Sequence, residues 1–202
     1  MSKGNRMKNA VVVLLNNYAD WEAGYLTGIL NQRKDWQVKV ASNQKTITSI
    51  GGVVTEPDQA VAEAGRDSKI DLLILIGGKS WTLEDSNLKK LIKDQLDNQL
   101  PLAAICGSVD FLAKNGFLNN YQHTGNAQYL WRDFPEYQNQ AGFLKKQAVR
   151  DRNLVTANGT AALDFTELTL GLIGDHQADA KRAVDLYRLG FYDYCEKYGN
   201  PF

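Results

Sequence analysis

The chain predicts an α/β fold, an open and mostly parallel sheet with helices on both faces, in one domain spanning residues 1–202. Three observations carry this expectation. Short, continuously apolar segments alternate along the chain with longer stretches whose apolar residues recur every three or four positions. Most of the apolar segments end at glycine or another turn-forming residue. Strands separated by helices in this way form right-handed parallel crossover units, and strands covered on both faces are continuously apolar rather than alternating.

Residues 10–15 (AVVVLL) are β-branched and apolar, as a buried first strand requires. From Asp20, read as an N-cap, Trp21, Gly24, Tyr25, Gly28 and Ile29 recur at helical spacing to about Gln32. Residues 37–41 alternate as a second strand, and 45–54, broken by Gly51-Gly52, form a small extended or hairpin element. Pro57 suits the first turn of a short helix to about residue 64. Residues 71–76 (DLLILI) are the next buried strand and end at Gly77-Gly78, followed by an amphipathic helix over 83–96. Residues 101–105 (PLAAI) are another strand, and Val109, Leu112 and Ala113 share one face of the helix after it. Residues 121–124 are a candidate strand and 127–137 a candidate helix disturbed by Pro135. Residues 147–150 and 154–157 form an antiparallel hairpin, and two helices, 161–173 and 178–198, finish the chain.

Lys plus Arg (23) balances Asp plus Glu (23), so no long-range field draws nucleic acid or an anionic membrane to this surface. The apolar run at 10–15 is far shorter than a membrane span and lacks a signal-peptide cleavage site, so the expected compartment is the cytoplasm. Two cysteines, Cys106 and Cys195, are too few and too separated for a disulfide framework or a zinc site. No motif points to a cofactor or a metal. The expected partner is a small-molecule or peptide substrate.

In open α/β sheets ligands bind at the carboxyl ends of the strands. That selects the segments after Leu15, Ile76, Ile105 and Ala157. Cys106 lies in the third, where a buried strand passes into a helix with small residues at Ala104, Gly107 and Ser108. A nucleophile elbow crowds the backbone and demands such small neighbours. Unpaired N–H groups at the helix start favour thiolate over thiol, which makes Cys106 the candidate nucleophile.

Three segments together resemble the ThiJ/PfpI superfamily, relatives of the class I glutamine amidotransferase domains. They are Asp20-Trp21-Glu22, Ile74-Leu75-Ile76-Gly77-Gly78 and Ala103-Ala104-Ile105-Cys106-Gly107, and Thr156 to Ala161 is similar to the family's closing strand and helix. The chain departs from the usual pattern in having Ile76 where a proline precedes the glycine pair. The resemblance implies a flavodoxin-like sheet, frequent dimers, and activities ranging over cysteine-dependent peptidases or amidases, glyoxalase- or deglycase-type enzymes and redox or stress proteins. It also implies that Glu22 is the acidic partner of the cysteine. Because two negative charges in contact repel, Glu22 is expected to be protonated and to donate to the sulfur.

Gly78 and Gly107 are the candidate backbone donors to an oxyanion. Family members with a peptidase-like site often have histidine directly after the nucleophile, where this chain has Gly107. Others place one about twenty residues later, which makes His123 the candidate base, with Asn126 the alternative occupant of that position. His176 lacks the following glutamate that amidotransferase chemistry needs. Trp21 and Trp81 either wall a pocket or fill the core, Cys195 packs inertly, and the last helix packs on the sheet or forms a homodimer face. The expected function is a cysteine-dependent hydrolase; the alternatives are a protein with an oxidisable Cys106, a glyoxalase or deglycase, and a pocket that only binds.

Overall fold

In the computed structural model, which describes residues 6–66 and 69–202, the apolar segments become a seven-stranded sheet. Across the sheet the strands are β5 (Gln59–Ala60), β2 (Trp36–Ser42), β1 (Lys8–Val13), β6 (Leu72–Leu75), β7 (Leu102–Ile105), β9 (Leu154–Ala157) and β8 (Ala148–Asp151). All neighbours are parallel except β8 and β9, which pair antiparallel with Asp151 opposite Leu154, the hairpin expected from the sequence. A separate antiparallel ribbon joins β3 (Ile47–Thr48) to β4 (Val54–Thr55).

Successive strand residues point to opposite faces, so the continuous apolar runs supply two cores at once. Val11, Val13, Leu73, Leu75, Leu102 and Ala104 face α2 (Ser86–Asp97) and α3 (Gly107–Lys114). Ala10, Val12, Leu72, Ile74, Ala103 and Ile105 face α1 (Asp20–Asn31), α4 (Ala162–Leu172) and α5 (Gln177–Leu189). The chain winds outward from β1 through β2 to β5, then returns to β6 on the other side of β1 and continues through β7 to β9. This reversal opens a crevice above β1 and β6, the usual ligand position in such sheets.

Several local expectations need correction. Asp20 is the first residue of α1 rather than its cap; Ala19 holds the cap position, and Asp20 accepts the Gly51 N–H at 2.8 Å. Pro57 does not open a helix: Gln59–Ala60 add to the sheet edge beside Ala41 and Ser42, and a 3-10 turn over Val61–Glu63 follows. Residues 121–124 make only an isolated bridge, His123 to Phe143, and the helix expected over 127–137 shrinks to a 3-10 turn, Gln128–Trp131. The final helix breaks at Gly190 (φ +81°) into α5 and α6 (Phe191–Tyr198). The two pieces are tied by buried Asp185 of α5, which accepts from Tyr198 Oη at 2.8 Å and Lys197 Nζ at 3.1 Å. No helix among the described residues is long and apolar enough to cross a membrane.

Candidate active site

The elbow after β7 is built from backbone strain and small residues. Cys106 has φ +61° and ψ −129°, a conformation that costs a residue with a Cβ on the order of 1–3 kcal/mol. Its surroundings hold it there. The Cys106 N–H donates to the Ala157 carbonyl at 2.9 Å, and its own carbonyl accepts from Val109 at 3.0 Å. Buried Ser108, read from sequence only as small, accepts the Ile105 N–H at 2.9 Å and hydrogen-bonds the Leu75 carbonyl at 2.8 Å, locking the elbow to β6. Gly107 is required because a Cβ there would stand 2.6 Å from the Gly78 carbonyl oxygen.

Glu22, in the first turn of α1, is fully buried. The Gly77 N–H donates to its Oε2 at 2.8 Å, while Oε1 has no nitrogen or oxygen partner among the described residues. Oε1 and the Cys106 sulfur face a common point: a Cβ placed on Gly159 would lie 3.1 Å from the one and 2.8 Å from the other. Burial pushes the Glu22 carboxyl up to about 7, against the opposing pull of Cys106 and the Gly77 N–H.

Burial also pushes the Cys106 thiol above its ordinary value. The Asn126 amide and the Gly107 N–H act downward, and the Glu22 charge acts upward. The helix start, expected from sequence to dominate, is therefore outweighed by desolvation. Two adjacent buried groups that both resist charge titrate as a pair. The first proton leaves near the Glu22 value, and the carboxylate so formed stands beside a thiol that burial keeps protonated, ready to accept its proton.

His123, the candidate base, makes no hydrogen bond to the sulfur among the described residues. It is fully buried, its Nδ1 bonds the Tyr121 carbonyl at 2.8 Å and its Nε2 bonds the Tyr137 hydroxyl at 2.9 Å. The carbonyl can only accept, so Nδ1 carries the proton and Nε2 takes the tyrosine hydrogen. Trp131, Tyr137 and Phe143 pack around the ring, and burial lowers its pKa. The group at the sulfur is Asn126, whose Nδ2 donates to Sγ at 3.3 Å while its Oδ1 accepts the Gly159 N–H at 2.9 Å. His176 is exposed at the start of α5.

Gly78, with φ +146°, bridges to Tyr18, and a Cβ on it would strike the Asn17 carbonyl at 2.3 Å. Its N–H has no acceptor among the described residues, as an oxyanion donor requires. The two tryptophans divide. Trp81 is buried, donates to the Ile76 carbonyl at 2.8 Å and packs edge-on against Phe111. Trp21 is exposed at the rim and donates to the Gly159 carbonyl at 3.3 Å. Gly159 was missed by sequence reasoning, although it lies in one of the four segments the edge rule selects. Two hollows lie near the elbow, one related to it through Asn126 and one touching it at Gly107. One of about 540 Å³ opens past Asn126 toward Lys145 and Lys146, and one of about 190 Å³ lies between Gly78, Trp81, Gly107 and Phe134.

The sequence pattern of the DJ-1/PfpI family matches residues 8–171. The chain is 47% identical over 197 residues to the uncharacterized protease YdeA of Bacillus subtilis, covering 97% of this chain and 99% of that one. It is 36% identical over 169 residues to the uncharacterized protease YoaZ of the same organism, covering 78% and 80%. Among solved structures, the DJ-1 superfamily protein Atu0886 of Agrobacterium tumefaciens superposes with a TM-score of 0.82 at 28% identity, over 91% of this chain and 98% of that one. The elbow, the buried glutamate and the flavodoxin-like sheet thus sit in a chain that belongs to the DJ-1/PfpI family.

Proposed function

We propose that this protein is a cysteine-dependent hydrolase of the peptidase or amidase type, with Cys106 as nucleophile and Glu22 as its proton partner. The observation that carries the reading is the buried Glu22 Oε1, which has no nitrogen or oxygen partner among the described residues and faces the sulfur. A buried polar atom left without such a partner is costly, and this one lies beside the sulfur, where a proton can pass between the two groups. The protease names of the two Bacillus relatives point the same way.

In this scheme the Cys106 proton passes to Glu22, and the thiolate forms a C–S bond to the substrate carbonyl carbon. Charge develops on the carbonyl oxygen, where the Gly78 and Gly107 N–H groups are the candidate donors. As the tetrahedral species collapses, the C–N bond breaks and protonated Glu22 gives its proton to the leaving nitrogen. Glu22 carboxylate then removes a proton from water, which attacks the thioester, and the acid product leaves with the thiol restored. A carboxyl poised near 7 serves both halves of the cycle, which removes the need for a histidine.

One observation favours a second reading. Among the described residues no histidine ring bonds the sulfur, and a protonated Glu22 suits an oxidised cysteine. Two equivalents of peroxide convert the thiol to sulfinic acid with release of two waters, and Glu22 would donate to a sulfinate oxygen. A panel of fluorogenic peptides, amides and methylglyoxal separates the alternatives. Turnover of peptides or amides by the wild type but not by Cys106→Ala is the expected result. Turnover of methylglyoxal alone assigns aldehyde chemistry; no turnover, with a stable sulfinate by mass spectrometry after mild peroxide, overturns the hydrolase reading in favour of the redox one.

A further inference from the structure

The larger hollow carries information about what the nucleophile is offered. It opens from Asn126, the residue that holds the sulfur, and its volume of about 540 Å³ falls within the roughly 300–1,000 Å³ of small-ligand sites. Lys145, Lys146 and Gln147 form one stretch of its wall, and among the described residues no aspartate or glutamate lines it. The chain as a whole has equal numbers of cationic and anionic side chains, so this positive wall is a local feature. Neither lysine makes an ion pair among the described residues.

The wall is fastened to the site. Thr124 Oγ1 donates to the Lys146 carbonyl at 2.8 Å, and the Lys146 N–H donates to the Leu144 carbonyl at 2.8 Å. The Asn158 N–H donates to the Gln147 carbonyl at 3.1 Å. Thr124 lies two residues before Asn126, and Asn158 immediately precedes Gly159. The same two loops that fix the sulfur's surroundings therefore fix the backbone from which both ammonium groups project. Tyr129, strongly exposed, and Phe143 add apolar surface to the hollow's lining.

We infer that the substrate presented to Cys106 is an acidic peptide segment, with a carboxylate side chain lying in this hollow against Lys145 and Lys146. The inference rests on Cys106 being the nucleophile of the proposed function. A hollow lined by Tyr129, Phe143 and two lysines with no ion pair among the described residues fits an extended segment whose acidic residue sits close to the reacting carbonyl. Exposed ion pairs contribute little individually, so the discrimination expected from two of them is about tenfold and depends on salt.

The test uses the whole folded chain and measures alkylation of Cys106 by mass spectrometry, with no turnover needed. Bromoacetyl-glutamic acid amide is compared with bromoacetyl-glutamine amide, and iodoacetate with iodoacetamide. Each rate ratio is divided by the same ratio for mercaptoethanol. The expected result is a preference of about tenfold for the glutamate probe at low salt, which shrinks as salt rises. It is lost in Lys145→Gln/Lys146→Gln and retained in Lys145→Arg/Lys146→Arg. A normalised ratio near one in the wild type, or a preference that survives the double glutamine change, overturns the inference and leaves the nucleophile reading intact. A preference confined to iodoacetate overturns the peptide in favour of a small carboxylate substrate. If the neutral probes react with Cys106 no faster in the folded chain than in the unfolded one, the nucleophile reading itself falls and takes this inference with it.

Discussion

Glu22 and His123 are both titratable and both fully shielded from solvent, yet the protein treats them in opposite ways. Each ring nitrogen of His123 has a partner, and aromatic rings close around it. Glu22 has one oxygen satisfied by Gly77 and the other facing a sulfur. A buried group with both sides partnered has no free atom to offer a substrate, whereas in the proposed reading the free oxygen of Glu22 exchanges a proton with the thiol. The contrast favours Glu22 over His123 as the proton partner in the proposed reading, where residue type alone would have chosen the histidine.

Replacing His123 offers the largest way to break this comparison. His123→Ala leaves a void among Trp131, Tyr137 and Phe143 and strips partners from Tyr121 and Tyr137. It should cost roughly 3–5 kcal/mol of unfolding free energy by urea titration. Among molecules that remain folded, the rate at which iodoacetamide alkylates Cys106 should stay as in the wild type. A large loss of reactivity in the folded fraction would return His123 to the site.

Next in size is the pH dependence of stability. Glu22 is raised from 4.5 to about 7 in the folded state, so folding favours its protonated form. That contribution is fully present below about pH 4.5 and is lost as pH rises through 7, for a total of about 3 kcal/mol. Glu22→Gln cannot ionise. Its stability relative to wild type should therefore improve by about 3 kcal/mol between pH 4.5 and 8. His123 acts with the opposite sign: burial lowers its pKa, so its contribution is present above about pH 6.5 and is lost as pH falls. Parallel urea titrations of wild type and both variants across this range check the two signs separately.

Smaller effects sharpen the account. Asn126→Ala removes the amide donor at 3.3 Å from the sulfur, and Asn126 is exposed, so its effect is screened. The pH midpoint of alkylation should rise by about half to one unit, with stability changed by less than about 0.5 kcal/mol. Trp21→Ala, at the exposed rim, should alter stability by no more than about 0.5 kcal/mol and alkylation by less than about threefold.

The strands were legible because burial on both faces demands uninterrupted apolar residues, as in Val11 to Val13 and Leu72 to Leu75. The elbow was legible because crowding demands small residues around Cys106. The break at Gly190 was hidden, since Val184, Tyr187, Phe191 and Tyr194 keep helical spacing across it. The pairing of Gln59–Ala60 left no trace either, because two edge residues carry no apolar alternation. At the site, Cys106 follows from strand-edge position and Glu22 from the family resemblance, whereas Asn126 and Gly159 reach the sulfur through loop geometry that no periodicity records. The signal for Gly159 was its place just after the last parallel strand, where a side chain would have filled the space between sulfur and carboxylate.

The central claim is that Glu22 and Cys106 share a proton, and the pH profile of Cys106 alkylation measures it directly in wild type and Glu22→Gln. The account predicts that wild-type reactivity rises with a midpoint near pH 7, and that the glutamine variant lacks this step and reacts only above the ordinary thiol value of about 8.5. A single wild-type midpoint at or above about 8.5, unchanged by Glu22→Gln, would contradict it.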